Sequence, residues 1–201
     1  MQDTQLLKAK LLDMPCRYRG LDFNDFNIDY EDQKIIRLVS EQFVDAFRAN
    51  VESGVSMIFM GGRGTGKTLL SMIIYQQLMQ MGYLVCYESM YLFLKNIKMS
   101  EWAIRFDDIK TRDFYNNASL LILDNVANFS EGKATFSDRE KELLFSVIDE
   151  RYNNKRSTIV ISNHNRATLT SIIGESCMDR LLEKGVALSF TWDSYRNKQG
   201  I

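Results

Sequence analysis

Proline is almost absent from this chain: Pro15 stands alone in 201 residues. With no low-complexity tract either, there is no sign of an extended internal linker, and the length fits one domain with at most a short extension. Cysteine is scarce and scattered. Cys16, Cys86 and Cys177 form no Cys-x-x-Cys pair, and His164 is the single histidine, so a structural zinc centre is not expected. Buried, reduced thiols are the expectation, as in the cytosol. No apolar run reaches membrane-spanning length and no leader pattern opens the chain, which points to a cytoplasmic protein with no membrane partner. A net charge of −1 leaves no global basic field, so any contact with nucleic acid has to come from a local patch. What remains, 45% hydrophobic and 25% charged, is ordinary for a globular domain that buries a core.

Against these absences stands one glycine-rich run, Gly61-Gly62-Arg63-Gly64-Thr65-Gly66-Lys67-Thr68, which fits G-x-x-x-x-G-K-[ST] at every position. A polyphosphate is held by backbone N–H groups turned inward, and side chains in that turn would block its approach. Gly62, Gly64 and Gly66 remove them and permit positive φ. Lys67 then reaches the phosphates as a point charge, Thr68 offers a hydroxyl to Mg²⁺, and the following helix points its positive end at the anion. The candidate cradle for ATP or ADP runs from Gly61 to Leu69. Its context agrees: Ser56 to Met60 is a short apolar run suited to a buried parallel strand, and Leu70, Ile73, Ile74, Leu78 and Met81 recur at the spacing of an amphipathic helix.

The rest of the chain alternates in the same way. Residues 1–12 suggest a short helix. The segment from Tyr18 to Phe26 is aromatic and irregular; Phe23 and Phe26 are either plugs at the domain's edge or one wall of a base pocket. A helix is expected from about Tyr30 to Asn50, and Gly82 is a natural end for the helix after the loop. Strands are expected at Tyr83 to Tyr87, Ser119 to Asp124, Thr158 to Ser162 and Val186 to Trp192, with a capping box at Ser137 to Glu140 opening a helix. Residues 89–116 read as helical with mixed charge, either a solvated face or an insertion in which Lys95 and Lys98 meet DNA phosphates and Tyr91 or Trp102 stacks on a base. Asp124 ends its strand as a Walker B carboxylate would, beside the loop where Mg²⁺ needs an outer ligand. Asn163 reaches the same edge. The pattern implies an α/β, three-layer P-loop fold with a five-stranded parallel sheet flanked by helices.

These residues resemble the AAA+ domain of the DnaC-type replicative helicase loaders and, more distantly, the IstB transposition ATPases. Ile58 to Thr68, Leu121 to Asp124, Ile161 to Asn163, Gly174-Glu175 and Met178 to Arg180 carry the likeness. The closing Phe190 to Arg196 is especially like the bacterial loader's C-terminus. The resemblance covers about residues 20 to 197. It implies a short extension over 1–20 and an AAA+ domain over 21–201, with ATP and Mg²⁺ as cofactors. Lys67 and Thr68 become the Walker A pair, Asp124 the Walker B acid and Asn163 the sensor-I residue. Arg180 becomes an arginine finger acting on a neighbouring protomer, hence a nucleotide-dependent homo-oligomer; the plainer alternative is an ion pair with Asp179 or Glu183. A replicative helicase and single-stranded DNA are the implied partners.

Two departures qualify the resemblance. The glutamate that usually follows the Walker B acid is Asn125 here, and loss of a general base commonly costs about 10²–10⁴ in rate, so weak hydrolysis is expected unless Glu131 substitutes. The separate N-terminal helicase-binding region of such loaders is not visible either. Other readings stay open: an IstB-like transposition ATPase, a P-loop small-molecule kinase, or a nucleotide-binding scaffold that has lost hydrolysis.

Overall fold

The computed structural model of the chain describes residues 15–47, 54–102, 106–126 and 136–197. The β-branched and apolar runs form five parallel strands: β1 (Met57–Gly61), β2 (Val85–Ser89), β3 (Leu120–Val126), β4 (Ser157–Ser162) and β5 (Val186–Phe190). Their spatial order is β2-β3-β4-β1-β5, so the three central strands are those with near-continuous apolar sequence. Helices α1 (Glu31–Asp45), α2 (Lys67–Gln80), α3 (Met90–Trp102), α4 (Phe106–Asn117), α5 (Asp138–Asn153), α6 (Arg166–Ile173) and α7 (Glu175–Leu182) supply the crossovers.

Strand pleating sorts the core into two layers. Met57, Phe59, Leu120, Ile122, Ile159 and Ile161 face α1 and α2, while Ile58, Met60, Leu121, Leu123 and Val160 face α3 through α7. The three-layer α/β expectation holds. α2 departs from its expected one-sided stripe. Ser71, Met72, Tyr75, Gln76 and Met79 are buried along with Leu70, Ile73, Ile74 and Leu78, because α2 is packed under α1 and the 15–26 segment as well as on the sheet. Met81, expected in the stripe, is the exposed C-cap. Gly82 at φ +88 then closes the helix, with Tyr83 N–H bonded to Leu78 O at 3.0 Å and Gly82 N–H to Met79 O at 3.0 Å.

Local signals explain other boundaries. Ser137 accepts the Glu140 N–H and the Glu140 carboxylate returns to Ser137 N–H at 2.8 Å, so the expected capping box opens α5. Gln33 caps α1 by accepting the N–H groups of Asp29 and Tyr30. Tyr18 is buried, and its carbonyl accepts from Gln76 Nε2 at 2.7 Å, tying part of the expected extension to α2. Cys86 and Cys177 are buried as expected, but Cys16 is exposed in a 3₁₀ turn. Burial pushes the Cys177 thiol up to about 12, which leaves it protonated and inert at neutral pH. The helix expected over 1–12 and the substitute base Glu131 lie outside the described residues, as does the side chain of Trp102.

Candidate functional site

β1 delivers the glycine-rich loop to the sheet's C-terminal edge, where Gly61 pairs with Phe190 of β5. A Cβ on Gly61 would lie 2.1 Å from the Phe190 carbonyl oxygen, and at Gly64 it would lie 2.0 Å from Ser194 Oγ, with φ +136 and +78 at the two positions. Neither admits a side chain. Gly62 does not use that freedom: it is absent from the positive-φ glycines, and a Cβ there would meet only Thr65 Cγ2 at an ordinary 3.8 Å. Part of the glycine requirement therefore comes from the chain's own C-terminal segment, not from an approaching anion.

Lys67 opens α2 behind Gly66 and turns its ammonium back under the loop. Nζ donates to Gly61 O at 2.8 Å, to Gly62 O, and to Thr65 Oγ1 at 3.3 Å. Burial pushes its pKa down to about 8; the Asp124 carboxylate opposes that shift and the Arg196 guanidinium adds to it. Thr68 Oγ1 donates to Asp124 Oδ2 at 2.9 Å, and the Tyr87 hydroxyl donates to the same oxygen at 2.7 Å. The Asn125 N–H reaches Asp124 Oδ1 at 2.6 Å. A single buried carboxylate thus joins β2, β3 and α2. Burial, with Asp124 next to it, raises the Tyr87 hydroxyl well above the usual range, so it stays a donor.

Thr68 and Asp124 are a sparse oxygen pair, the kind that suits Mg²⁺ when phosphates and waters complete its shell. Among the described residues no cluster of three or more His, Cys, Asp or Glu could cage a metal by protein ligands alone.

Asn125 sits at φ +57, in the left-handed region, where the β3–β4 register shifts between Leu123 and Val126. Asparagine tolerates that backbone better than most residues. Asn163 is the first residue past β4, whose Ser162 pairs with Met60 and with Val126, so it leaves the sheet between the Asp124 strand and the loop strand. The sheet edge thereby gathers Gly61 to Leu69, Asp124, Asn125 and Asn163.

The other candidate residues lie elsewhere. Arg180 Nε contacts Asp149 Oδ1 at 2.8 Å, and its guanidinium stacks 4.6 Å over the Tyr152 ring. The ion pair foreseen with Asp179 or Glu183 is thus formed with α5, and Glu183 instead accepts the Tyr152 hydroxyl. On α3, Tyr91 and Lys95 are exposed beside Leu92 and Met99. Lys98 is engaged: Nζ lies 2.7 Å from Glu140 Oε1 and braces the capping box of α5. Phe26 is a plug. It is buried edge-on against Phe190 and Trp192, with its ring 3.0 Å from where a Gly66 Cβ would be.

The profile of the IstB-like ATP-binding proteins matches residues 2–201. The chain belongs to that family. Within reach of this IstB-like chain is the replicative helicase loader DnaC of Buchnera aphidicola subsp. Baizongia pistaciae, 30% identical over 183 residues, which are 90% of this chain and 71% of that one. The DnaC of Escherichia coli K12 is 28% identical over 182 residues, again 90% and 71%. The crystal structure of the DnaC helicase loader superposes with a TM-score of 0.76 at 25% identity, covering 87% of this chain and 99% of that one. AMPPCP-bound DnaA from Aquifex aeolicus gives 0.68 at 20% identity over 88% of this chain and 50% of that one, a likeness of fold. The DnaC-type resemblance and the AAA+ P-loop fold both stand. No helix among the described residues is long and apolar enough to cross a membrane.

Two features of this IstB-like site escaped the sequence. Tyr87 shows in the sequence only as part of a strand, although its place near the end of β2, next to β3, is what brings it to Asp124. The tail residues Trp192 to Arg196 carried family likeness but no sign that they would lie on the loop.

Proposed function

We propose that the chain is an ATP-binding helicase loader of the DnaC type that acts in DNA replication, with a replicative helicase as partner. Nucleotide switches its assembly and its hold on single-stranded DNA, and hydrolysis is slow. The observation that carries this reading is the convergence of Lys67, Thr68 and Asp124 at one sheet edge, in a chain of this family. On binding a triphosphate, the Lys67 ammonium exchanges the Gly61 and Gly62 carbonyls for phosphate oxygens, and the N–H groups at the start of α2 face the anion. Thr68 and Asp124 would hold Mg²⁺, which when bound neutralises phosphate charge. Asn163, just past β4, would orient water or read the terminal phosphate. Arg180, paired with Asp149 and stacked on Tyr152 of α5, is the finger offered to a neighbouring protomer.

Slow hydrolysis follows from Asn125, since an amide orients water but accepts a proton poorly. Asn125→Glu is expected to raise the steady-state ATPase rate by about tenfold or more. Holding glutamate at a left-handed φ costs roughly 1–2 kcal/mol and tempers the gain. An unchanged rate in a variant that still folds and binds ATP would mean that water is activated elsewhere.

For DNA, the exposed face of α3 with Tyr91 and Lys95 supports a stacking-plus-phosphate contact. Because Lys98 braces α5, the cleaner probe is Lys95→Glu. Its affinity for a single-stranded oligonucleotide should fall several-fold at low salt, with the difference closing as salt rises. Equal affinity at low salt would return α3 to a solvated face.

A further inference from the structure

β2 ends beside Asp124, and strand register decides which of its side chains reaches that carboxylate. Tyr87 pairs with Ile122, and Ser89 pairs with Asp124. Tyr87 and Asp124 therefore share one face of the sheet, diagonal to each other across adjacent strands. Such a diagonal is within reach of an aromatic side chain. The Tyr87 ring packs against the core layer under α2, and its hydroxyl spans the rest of the gap, donating to Asp124 Oδ2 at 2.7 Å.

Asp124 is 2% exposed, so protein groups supply its hydrogen bonds and its acceptor directions can be counted. An ionised carboxylate has about four, two on each oxygen. On Oδ2 both are taken, by Thr68 Oγ1 at 2.9 Å and by Tyr87. On Oδ1 the Asn125 N–H takes one, at 2.6 Å. One direction is left, and it belongs to Oδ1. The torsion that turns an aspartate carboxylate has broad, shallow wells, so it does not fix the group by itself. Here three donors from α2, β2 and β3 fix it. Remove the phenol, and Oδ2 regains an open direction while the carboxylate gains room to pivot.

We propose that Tyr87 is a positioning residue for the Mg²⁺ of the bound nucleotide. Its hydroxyl saturates Oδ2 and leaves Asp124 one fixed acceptor direction, on Oδ1, to offer the metal or a water bound to it. Tyr87 touches neither nucleotide nor metal in this role and acts only through Asp124. The inference rests on the nucleotide reading given above, in which Thr68 and Asp124 hold Mg²⁺. Hydrogen-bond partners that orient a metal-holding carboxylate commonly change metal affinity by about 10–100-fold when removed.

The test is isothermal titration calorimetry of ATP against the full chain, over a series of free Mg²⁺ concentrations and in EDTA. Wild type, Tyr87→Phe and Asp124→Asn are compared, with a thermal melt of each in EDTA. Phenylalanine keeps the ring and its packing and removes the donor. Tyr87→Phe should need about tenfold more Mg²⁺ than wild type to reach half of the full gain in ATP affinity. In EDTA it should bind ATP as wild type does and melt no more than a few degrees lower. A merely structural tie between β2 and β3 would weaken both affinities together and leave the Mg²⁺ midpoint in place. An unchanged or lower midpoint, an equal loss with Mg²⁺ and in EDTA, or a variant that no longer folds overturns the proposal while Asp124→Asn still blunts the response to Mg²⁺. If Asp124→Asn responds to Mg²⁺ as wild type does, the metal site of the nucleotide reading has failed and this inference falls with it.

Discussion

Lys67→Ala is expected to lower ATP affinity by at least about 100-fold, with no loss of thermal stability in the absence of nucleotide. A desolvated ammonium aimed at phosphates makes charge-assisted contacts, each worth about 1.5–3 kcal/mol, and the substitution removes several at once. Stability responds differently. The folded, nucleotide-free chain holds a cation whose pKa has fallen from 10.5 to about 8, so folding is penalised by keeping it charged. Between about 8 and 10.5 the unfolded chain binds the additional proton, and stability of the free protein rises with pH across that window. Alanine abolishes both the penalty and the pH-dependent rise. Binding carries the opposite sign. Phosphate favours the ammonium, so affinity should fall as pH climbs above about 8, with proton uptake on binding visible when titrations are repeated in buffers of different ionisation enthalpy. A flat affinity from pH 7 to 9.5 would place the Lys67 ammonium away from the phosphates.

Arg151→Met should destabilise the fold by at least about 3 kcal/mol, enough to unfold a marginal domain. Arg151 is fully buried and forms no ion pair among the described residues. Its guanidinium is instead enclosed by carbonyl oxygens: Nη1 donates to Tyr115 O at 2.5 Å and Ala118 O at 2.9 Å, Nη2 to Ser157 O, and Nε to Thr158 Oγ1 at 3.0 Å. These acceptors belong to the end of α4, the approach to β3 and the start of β4, so one side chain fixes three chain segments beneath the sheet. Burial pushes the guanidinium down to about 9, still charged at neutral pH. Methionine replaces much of the volume but leaves several buried acceptors unmatched, at about 1–3 kcal/mol each. Chemical denaturation would show the loss as a lower midpoint. An unfolding free energy within about 0.5 kcal/mol of wild type would mean that the carbonyls find other donors.

The sequence made the frame readable wherever a local rule was strong enough to act alone. The apolar runs of β1, β3 and β4, the capping box at Ser137 and the stop at Gly82 all formed where local chemistry placed them. Lys67 and Thr68 at the start of α2 and Asp124 in β3 come together as the loop motif and the downstream strand pattern lead one to expect. Contacts between distant segments were not legible. Arg151 stands four residues after Val147 and three after Ile148, which puts it on the buried face of α5, where a charge is not expected. Only the carbonyls contributed by α4 and β4 make that burial possible. The tail over the loop escaped for a similar reason: Trp192 and Tyr195 find partners more than a hundred residues away, at Thr65, Gln33 and Asp29. Asn125 was read for its missing carboxylate, whereas its φ of +57 is also a backbone reason for asparagine at that position. Arg180 was offered a finger or a local ion pair, and tertiary packing supplied a partner from α5 that neither reading named.

In the proposed function, nucleotide controls assembly through Arg180 acting between protomers. This control is tested most directly by size-exclusion chromatography with light scattering, comparing wild type and Arg180→Ala with ADP, with a slowly hydrolysed ATP analogue, and with the analogue plus a single-stranded oligonucleotide. The wild type should form a multimer only with the triphosphate analogue, larger with the oligonucleotide present, and Arg180→Ala should form none. Monomers of wild type under all three conditions, with ATP shown to be bound, would contradict it.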